Sequence, residues 1–530
     1  MKPDAASPPA TSAARAAPKP PPGFRGAFIT HREALEAFGR TSGPLRVLPT
    51  AVARPRKVED VQELTCWAGA RGLPLIPHGA GTGMPGGNVG PGVILDLSGL
   101  DALDPPSWEE HTIRVGSGVV ARRVEAAAAG AGLFLPPMPS SSDRCTVGGM
   151  VANNAAGARS FRHGAVRDWV EELDVVLADG TRTRLTGAAS PPWVRSLTSE
   201  LQGRVEAARP WPIVRKNASG YALDRFLPRG DALHLLVGSE GTLGVVTEVR
   251  LRLAPLPAAR SVWAVPVFDF RELSRVVAAA TSAGATACEF LGSRLLEIIA
   301  AADARLDALG VSRMRIKQGT ALVLLELDDA LRPLAEVEEE VGKELGELAR
   351  RRTRALDPGD RERIWSLRHA ASPFIAASAR EGKVSMQFIE DSVVPPRHLA
   401  AYLAGVEEIL ADEDTDAVFF GHAGDGNVHV NPLVDVTRPD WRERVGRILN
   451  RTAALVAELG GTLSGEHGDG RIRAPLLETI WGREWTRAFA MVKHVLDPQG
   501  IFNPGVILPH AGHPTLEEVL GAFSPEGGRR

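Results

Sequence analysis

The period of the apolar positions changes along this chain, and each change marks an element. Across residues 58–72, Val58, Val61, Leu64 and Trp67 recur at helical spacing and predict an amphipathic helix. A short buried strand over 73–77 follows, then a glycine-rich loop and a second strand over 93–97. Residues 112–118 read as strand, 120–130 as an alanine-rich helix, and 172–185 as two strands about the turn Ala178-Asp179-Gly180. Apolar runs at 233–237 and 245–253 flank another small-residue turn. From about 259 the pattern becomes an alternation, with strands at 261–268, 287–291 and 321–327 and helices at 271–284, 295–309 and 331–349. That order predicts an antiparallel sheet covered by helices on one side. A helix is also expected over 361–379, interrupted by Pro373, and another over 488–496. The blocks divide the chain into a proline-rich lead-in (1–24), an α/β unit (25–257), an α+β unit (258–508) and a tail (509–530).

Composition narrows the class. The 530 residues are 44% hydrophobic and 24% charged, ordinary for a water-soluble globular protein with ample length for a large core. A formal net charge of -3 gives no case for a nucleic-acid partner or an anionic membrane surface. The three cysteines, Cys66, Cys145 and Cys288, are far apart, which excludes a CxxC zinc ribbon or an iron–sulfur cluster made by this chain alone. They suit a reducing compartment, so a cytoplasmic location is expected, with peripheral membrane contact left open. No apolar run approaches the ~18 residues of a membrane span, and the lead-in has no secretory core.

The loop after the first buried strand, His78-Gly79-Ala80-Gly81-Thr82-Gly83, invites a dinucleotide-fold reading. That reading fails, because such a loop must open into a helix, and Pro85, Gly86, Gly87, Gly90, Pro91 and Gly92 forbid one. A loop between strands can still cradle phosphates through successive backbone N–H groups. Two more small-residue segments, 140–157 and 238–244, suggest a ligand long enough to touch all three.

Candidate chemistry lies near the C-terminus. Phe420-Gly421-His422 ends a strand, Gly424-Asp425-Gly426-Asn427 reverses the chain, and His429 begins an alternating strand with Asn431 on the same face. A bare histidine pair in a hairpin is more often satisfied by backbone partners than by a metal. The stretch Ser464-Gly465-Glu466-His467-Gly468-Asp469-Gly470 adds a carboxylate and a further imidazole, the complement a catalytic divalent-metal site needs. Arg368 and Ser372 share a helical face, with Lys383 following, and offer fixed positive charge for an anionic substrate.

Residues 78–87, 145–157 and 238–244 resemble the FAD-binding loops of the p-cresol methylhydroxylase-type (vanillyl-alcohol oxidase) flavoproteins, and the similarity spans about 45–507. Within that superfamily the chain looks most like the D-2-hydroxyacid dehydrogenases: cytochrome-linked D-lactate dehydrogenase, D-2-hydroxyglutarate dehydrogenase and the glycolate oxidase flavin subunit. The resemblance implies an α+β fold, with a two-part FAD-binding domain and an α+β cap over the flavin. It implies that Pro77, His78, Gly79, Ala80, Gly81, Thr82, Gly83, Ser142, Thr146, Gly149, Asn154, Gly157, Glu240, Gly244, Val246 and Asn503 line the FAD site. His78 stands where relatives usually carry Arg, but covalent relatives place the histidine after the glycine pair, so the FAD is expected to be non-covalent. His422, His429 and Glu466 correspond to metal ligands, usually zinc, His467 to the base, and Arg368, Ser372 and Lys383 to substrate contacts. The implied activity is oxidation of a D-2-hydroxy acid of the D-lactate or D-2-hydroxyglutarate class, by hydride transfer to the flavin. An electron-acceptor protein or quinone, a separate iron–sulfur subunit and a homodimer are the partners it leaves open. The alternatives are the flavin subunit of a glycolate oxidase-like complex and a transferase similar to alkylglycerone-phosphate synthase.

Overall fold

Four short strands form the first sheet of the computed structural model, which describes residues 18–187, 191–302, 316–369, 371, 375, 382–509 and 515–524. They are β1 (Ala27–Ile29), β2 (Ala51–Arg54), β3 (Leu75–His78) and β4 (Val93–Asp96), in the order β1-β2-β4-β3. The helix Val58–Gly69 lays Val61, Leu64, Trp67 and Ala68 against this sheet, as its apolar spacing dictates. The C-terminal segment returns here: the Leu75 N–H donates to the Ile501 carbonyl at 2.8 Å and the Asn503 N–H to the Leu75 carbonyl at 2.8 Å. No helix intervenes between β3 and β4, so the dinucleotide-fold reading is indeed excluded.

The second sheet is antiparallel: β5 (Thr112–Gly116), β7 (Val170–Val176), β8 (Arg182–Thr186) and β9 (Val245–Arg252) run in the order β5-β9-β7-β8. A small ribbon of β6 (Leu133–Phe134) and β10 (Ala254–Pro255) completes this half. The apolar run 233–237 holds a helical turn, Leu233–Leu236, and the run 245–253 holds β9.

The third sheet has eight strands. β11 (Arg260–Val267), β12 (Ala287–Gly292), β13 (Ala321–Asp328), β14 (Thr353–Ala355), β15 (Lys383–Ser385), β17 (Asp416–His422) and β18 (Asn427–Asp435) run β14-β11-β13-β12-β17-β18-β15, with β16 (Ser392–Val393) beside β18. Helices cover both faces of this sheet, not the single face expected. Val323 and Leu325 pack with the helices Phe270–Ser282 and Leu334–Leu345, while Leu322 and Leu324 pack with Ser293–Ala302 and Pro358–His369. That is why β13 reads as an unbroken apolar run: a strand buried on both faces loses the alternation that would reveal its sides. The helix Ser293–Ala302 was expected to reach 309, and its remainder lies outside the described residues.

The hairpin of β17 and β18 carries the histidines. Phe420 lies opposite His429 and His422 opposite Asn427, so both rings belong to one end of the sheet. Gly421 makes this geometry possible, since at φ 147 a Cβ would sit 2.7 Å from the Asn427 carbonyl oxygen.

Candidate active site

Each histidine is oriented by the partner of its other ring nitrogen. His422 Nδ1 lies 2.5 Å from Glu289 Oε1, and the opposite oxygen of Glu289 accepts from Arg368 Nε at 2.9 Å. His422 Nε2 is thereby turned toward Glu466 Oε1, 3.0 Å away. Burial alone would depress the His422 pKa, but the adjoining Glu289 carboxylate raises it. His429 Nδ1 lies 2.7 Å from the Glu390 backbone carbonyl, which can only accept, so Nδ1 carries the hydrogen. Burial lowers the His429 pKa, so its Nε2 presents a bare lone pair 3.4 Å from Glu466 Oε1. His467 stacks on His429 at 5.3 Å with ring planes 15° apart, and its Nδ1 reaches Glu390 Oε1 at 3.2 Å. Against the effect of burial, Asp391 and Glu390 raise the His467 pKa to about 9.

The loop that brings Glu466 here is held by buried polar groups from distant parts of the chain. Asp391 accepts the N–H groups of Glu466 at 3.0 Å and His467 at 2.8 Å, and the Ser464 hydroxyl at 2.8 Å. Arg473 donates to Glu390 Oε1 at 2.6 Å and to the Gly468 carbonyl. Lys216 Nζ lies 3.0 Å from Glu466 Oε2. The sequence held signals for two of these: Glu289 is a lone carboxylate inside an apolar strand, and Glu390-Asp391 is an acidic pair in an apolar run. Asp391, His429, Glu466 and His467 offer ligand atoms within 4.8 Å of one another. This set and the expected His422/His429/Glu466 set share His429 and Glu466.

Does this donor set suit a cation? Two acceptor lone pairs, His429 Nε2 and Glu466 Oε1, face each other at 3.4 Å, an arrangement that is favourable only with positive charge between or beside them. Among the described residues, five buried carboxylates (Glu289, Glu390, Asp391, Asp425, Glu466) meet three buried side chains of fixed positive charge (Lys216, Arg368, Arg473), and the balance falls to His422 and His467, whose pKa values the neighbouring carboxylates raise, or to a cation that takes the place of their protons. Arg215, 3.5 Å from Asp425, is 39% exposed and screens only the rim. The residues fit a divalent ion.

The other predicted substrate contacts are dispersed. Arg368 is buried beside the site, with its guanidinium 4.7 Å from the Phe420 ring centroid. Lys383 opens β15 opposite Asp435, on the pleat face of His429 and Asn431 but at the far end, and its Nζ bonds Asp416 at 3.1 Å. Ser372 lies outside the described residues. Asn431 is buried on the His429 face, and among the described residues its Nδ2 has no hydrogen-bond partner.

The three glycine loops do converge. Gly79 abuts Thr146, whose hydroxyl caps the short helix Val147–Ala152, and Gly241 abuts Pro77. Among the described residues, none of the successive backbone N–H groups from Gly79 to Gly83 donates to a protein acceptor, which leaves a row of donors suited to a pyrophosphate. Ala80 and Thr82 belong to the first loop and Ser142 and Gly149 to the second, with Gly157 packed against Met138, Gly244 just before β9 and Val246 within it. Three expected FAD contacts instead spend their side chains on the protein. Asn154 bonds the Asn217 carbonyl at 3.1 Å and the Arg167 N–H at 3.1 Å. Asn503 donates to the Gly87 carbonyl at 2.6 Å and the Glu240 carbonyl at 2.9 Å. Glu240 accepts the Asp469 N–H at 2.7 Å and the Gly470 N–H at 3.0 Å. His78 Nδ1 faces the Gly79 carbonyl at 2.8 Å. In the structure these side chains tie loops together.

Two predictions follow from this geometry. A Cβ at Gly79 would collide with Thr146 Oγ1, so Gly79→Ala should lower FAD occupancy of the purified protein, read as the ratio of flavin to protein absorbance. Glu240 is buried, and that burial, with Asp469 nearby, pushes its carboxyl from 4.5 up to about 8. Below about pH 4.5 folded and unfolded chains both hold this proton, and between there and about 8 only the folded chain does, so the contribution to stability falls as pH rises through that window. The fall in urea midpoint across that range should be smaller in Glu240→Gln than in the wild type.

Comparison with known proteins agrees with the two halves of the fold. A family described as FAD binding domain matches residues 49–186, and one described as FAD linked oxidases, C-terminal domain, matches 256–507. The D-lactate dehydrogenase of Archaeoglobus fulgidus is 29% identical over 483 residues, covering 89% of this chain and 96% of that protein. Glycolate oxidase subunit GlcD of Bacillus subtilis is 30% identical over 468 residues, covering 86% and 88%. The solved structure of 4-ethylphenol oxidase from Gulosibacter chungangensis shares the fold, with a TM-score of 0.66 at 16% identity over 92% of this chain and 99% of that one. The chain belongs to the FAD-linked oxidases of the p-cresol methylhydroxylase/vanillyl-alcohol oxidase type. Within that class it is an FAD-dependent oxidoreductase of the 2-hydroxyacid dehydrogenase family. Among the described residues no helix is long and apolar enough to cross a membrane.

Proposed function

We propose that the protein oxidises a D-2-hydroxy acid to the 2-oxo acid, using non-covalent FAD and a divalent metal of the zinc kind. The observation that carries this reading is the pair of facing acceptors, His429 Nε2 and Glu466 Oε1, inside a buried cluster rich in carboxylates. A divalent ion bound there would supply polarisation of the C2 hydroxyl and added positive charge beside it, and bound FAD would supply the acceptor for the C2 hydride. The remaining work belongs to the chain. His422, His429 and Glu466 would hold the ion, since both histidine Nε2 atoms already face Glu466 Oε1. The Nδ2 donor of Asn431 and the guanidinium of Arg368 orient the substrate carboxylate. His467 takes the hydroxyl proton. With protein groups alone it is protonated at neutral pH, because Asp391 and Glu390 raise it to about 9, so added positive charge nearby is what frees it to act as a base.

The test is anaerobic mixing of the FAD-loaded protein with a panel of D-2-hydroxy acids. Bleaching of the flavin by at least one, lost on chelation, is expected. A flavin that stays oxidised across the panel would sink the dehydrogenase and favour a transferase of the same fold. The likeness to a glycolate oxidase subunit favours a protein acceptor, and co-purification of an iron–sulfur protein is the corresponding check.

A further inference from the structure

We propose that Lys216 is a positioning residue for Glu466, with its ammonium group holding one carboxylate oxygen so that only the other faces the histidines. This inference rests on the reading of those histidines and Glu466 as a metal site.

The carboxylate of Glu466 is divided between two surroundings. Oε2 lies 3.0 Å from Lys216 Nζ. Oε1 lies 3.0 Å from His422 Nε2, 3.4 Å from His429 Nε2 and 3.8 Å from His467 Nε2. Lys216 is 1% exposed, and its other contact is Asp425 Oδ2 at 3.3 Å. A buried ammonium with two carboxylates around it is held by strong, opposed attractions, and its position is correspondingly well defined.

The backbone around Lys216 repeats the alignment. The Ala218 N–H donates to the Ser464 carbonyl at 2.9 Å, and the Gly220 N–H to Asp469 Oδ2 at 2.7 Å. Ser219 accepts from Trp481 Nε1 at 2.9 Å. Residues 216–220 therefore run along the 464–469 loop as a strap, with Lys216 reaching Glu466 between the backbone ties. Neutral turn residues would have sufficed to fasten the loop. A buried positive charge aimed at one oxygen has a further effect: Glu466 binds a cation through Oε1 alone, and a coordination position stays open for substrate oxygen.

Lys216 also borders a cleft of about 100 Å³, lined in part by Trp211, Arg215, Asn217 and Arg225. Small solutes can approach from there, which makes chemical rescue feasible.

The test uses the FAD-loaded protein, freed of metal by chelation and then given Co²⁺, with the cobalt bands read at wavelengths beyond flavin absorption. In Lys216→Ala the freed carboxylate can bind through both oxygens, the coordination number rises, and a several-fold loss of band intensity is expected. Added ethylammonium should restore the bands and ethanol should not. An unchanged cobalt spectrum in Lys216→Ala, or a changed one indifferent to ethylammonium, overturns the proposal. Should the alanine variant lose its FAD, Lys216→Gln, of similar length and without charge, is read in the same way, and a wild-type spectrum there overturns it. A wild-type protein that takes up no Co²⁺ would instead overturn the metal reading on which this one rests.

Discussion

His422→Ala is expected to abolish flavin reduction by the hydroxy-acid substrate while leaving FAD bound. The ring lies on the hairpin of the third sheet, and the loops with free N–H donors belong to the first half of the chain, so removing it touches chemistry and not cofactor binding. Losing one of the three proposed ligands would remove several kcal/mol of transition-state stabilisation, and about 4 kcal/mol is on the order of a thousandfold in rate. Anaerobic stopped-flow measurement of flavin bleaching gives the rate, and the flavin-to-protein absorbance ratio gives occupancy. A variant with near wild-type bleaching would remove His422 from the ligand set and leave the Asp391, His429, Glu466 and His467 group as the alternative.

Arg473→Met should be the most destabilising of the charge-removing substitutions near the site. Arg473 is 2% exposed and lies 2.6 Å from Glu390 and 3.8 Å from Asp391. Despite burial, Arg473 and His467 hold the Glu390 carboxyl down at about 2, so it stays ionised. Without the guanidinium, two buried carboxylates lose their counter-charge and the Gly468 carbonyl loses a donor. Breaking a buried pair in this way costs about 3–5 kcal/mol. Urea denaturation followed by circular dichroism checks it. A loss under about 1 kcal/mol would mean that solvent already reaches Glu390.

Much of the fold was legible because local patterns and tertiary packing agree. The helix 58–69, the hairpin around Gly424–Gly426 and the strand–helix alternation after 259 all announce themselves by spacing. The sides of the third sheet were not legible, since strands buried on both faces carry no alternation. The site was half legible. His422, His429, Glu466 and His467 stand in glycine-flanked stretches that signal a backbone bent to present side chains. Lys216, Glu289, Asp391 and Arg473 do not, because what matters about them is the group they meet. Lys216 and Glu466 are 250 positions apart, a pairing that no local spacing encodes.

That separation bears on how the enzyme is made. The strap at 216–220 leaves the ribosome long before the loop at 464–469 it will grip, and the Asn153 side chain waits longer still for the His467 carbonyl, 314 positions on. Closing such distances comes after the local hairpins and helices have formed. The proposed site is therefore among the last parts of the molecule to assemble, and a chain that stops short of residue 460 holds Lys216 and His422 without the carboxylate that lies between them. Translation must be essentially complete before the chemistry can exist.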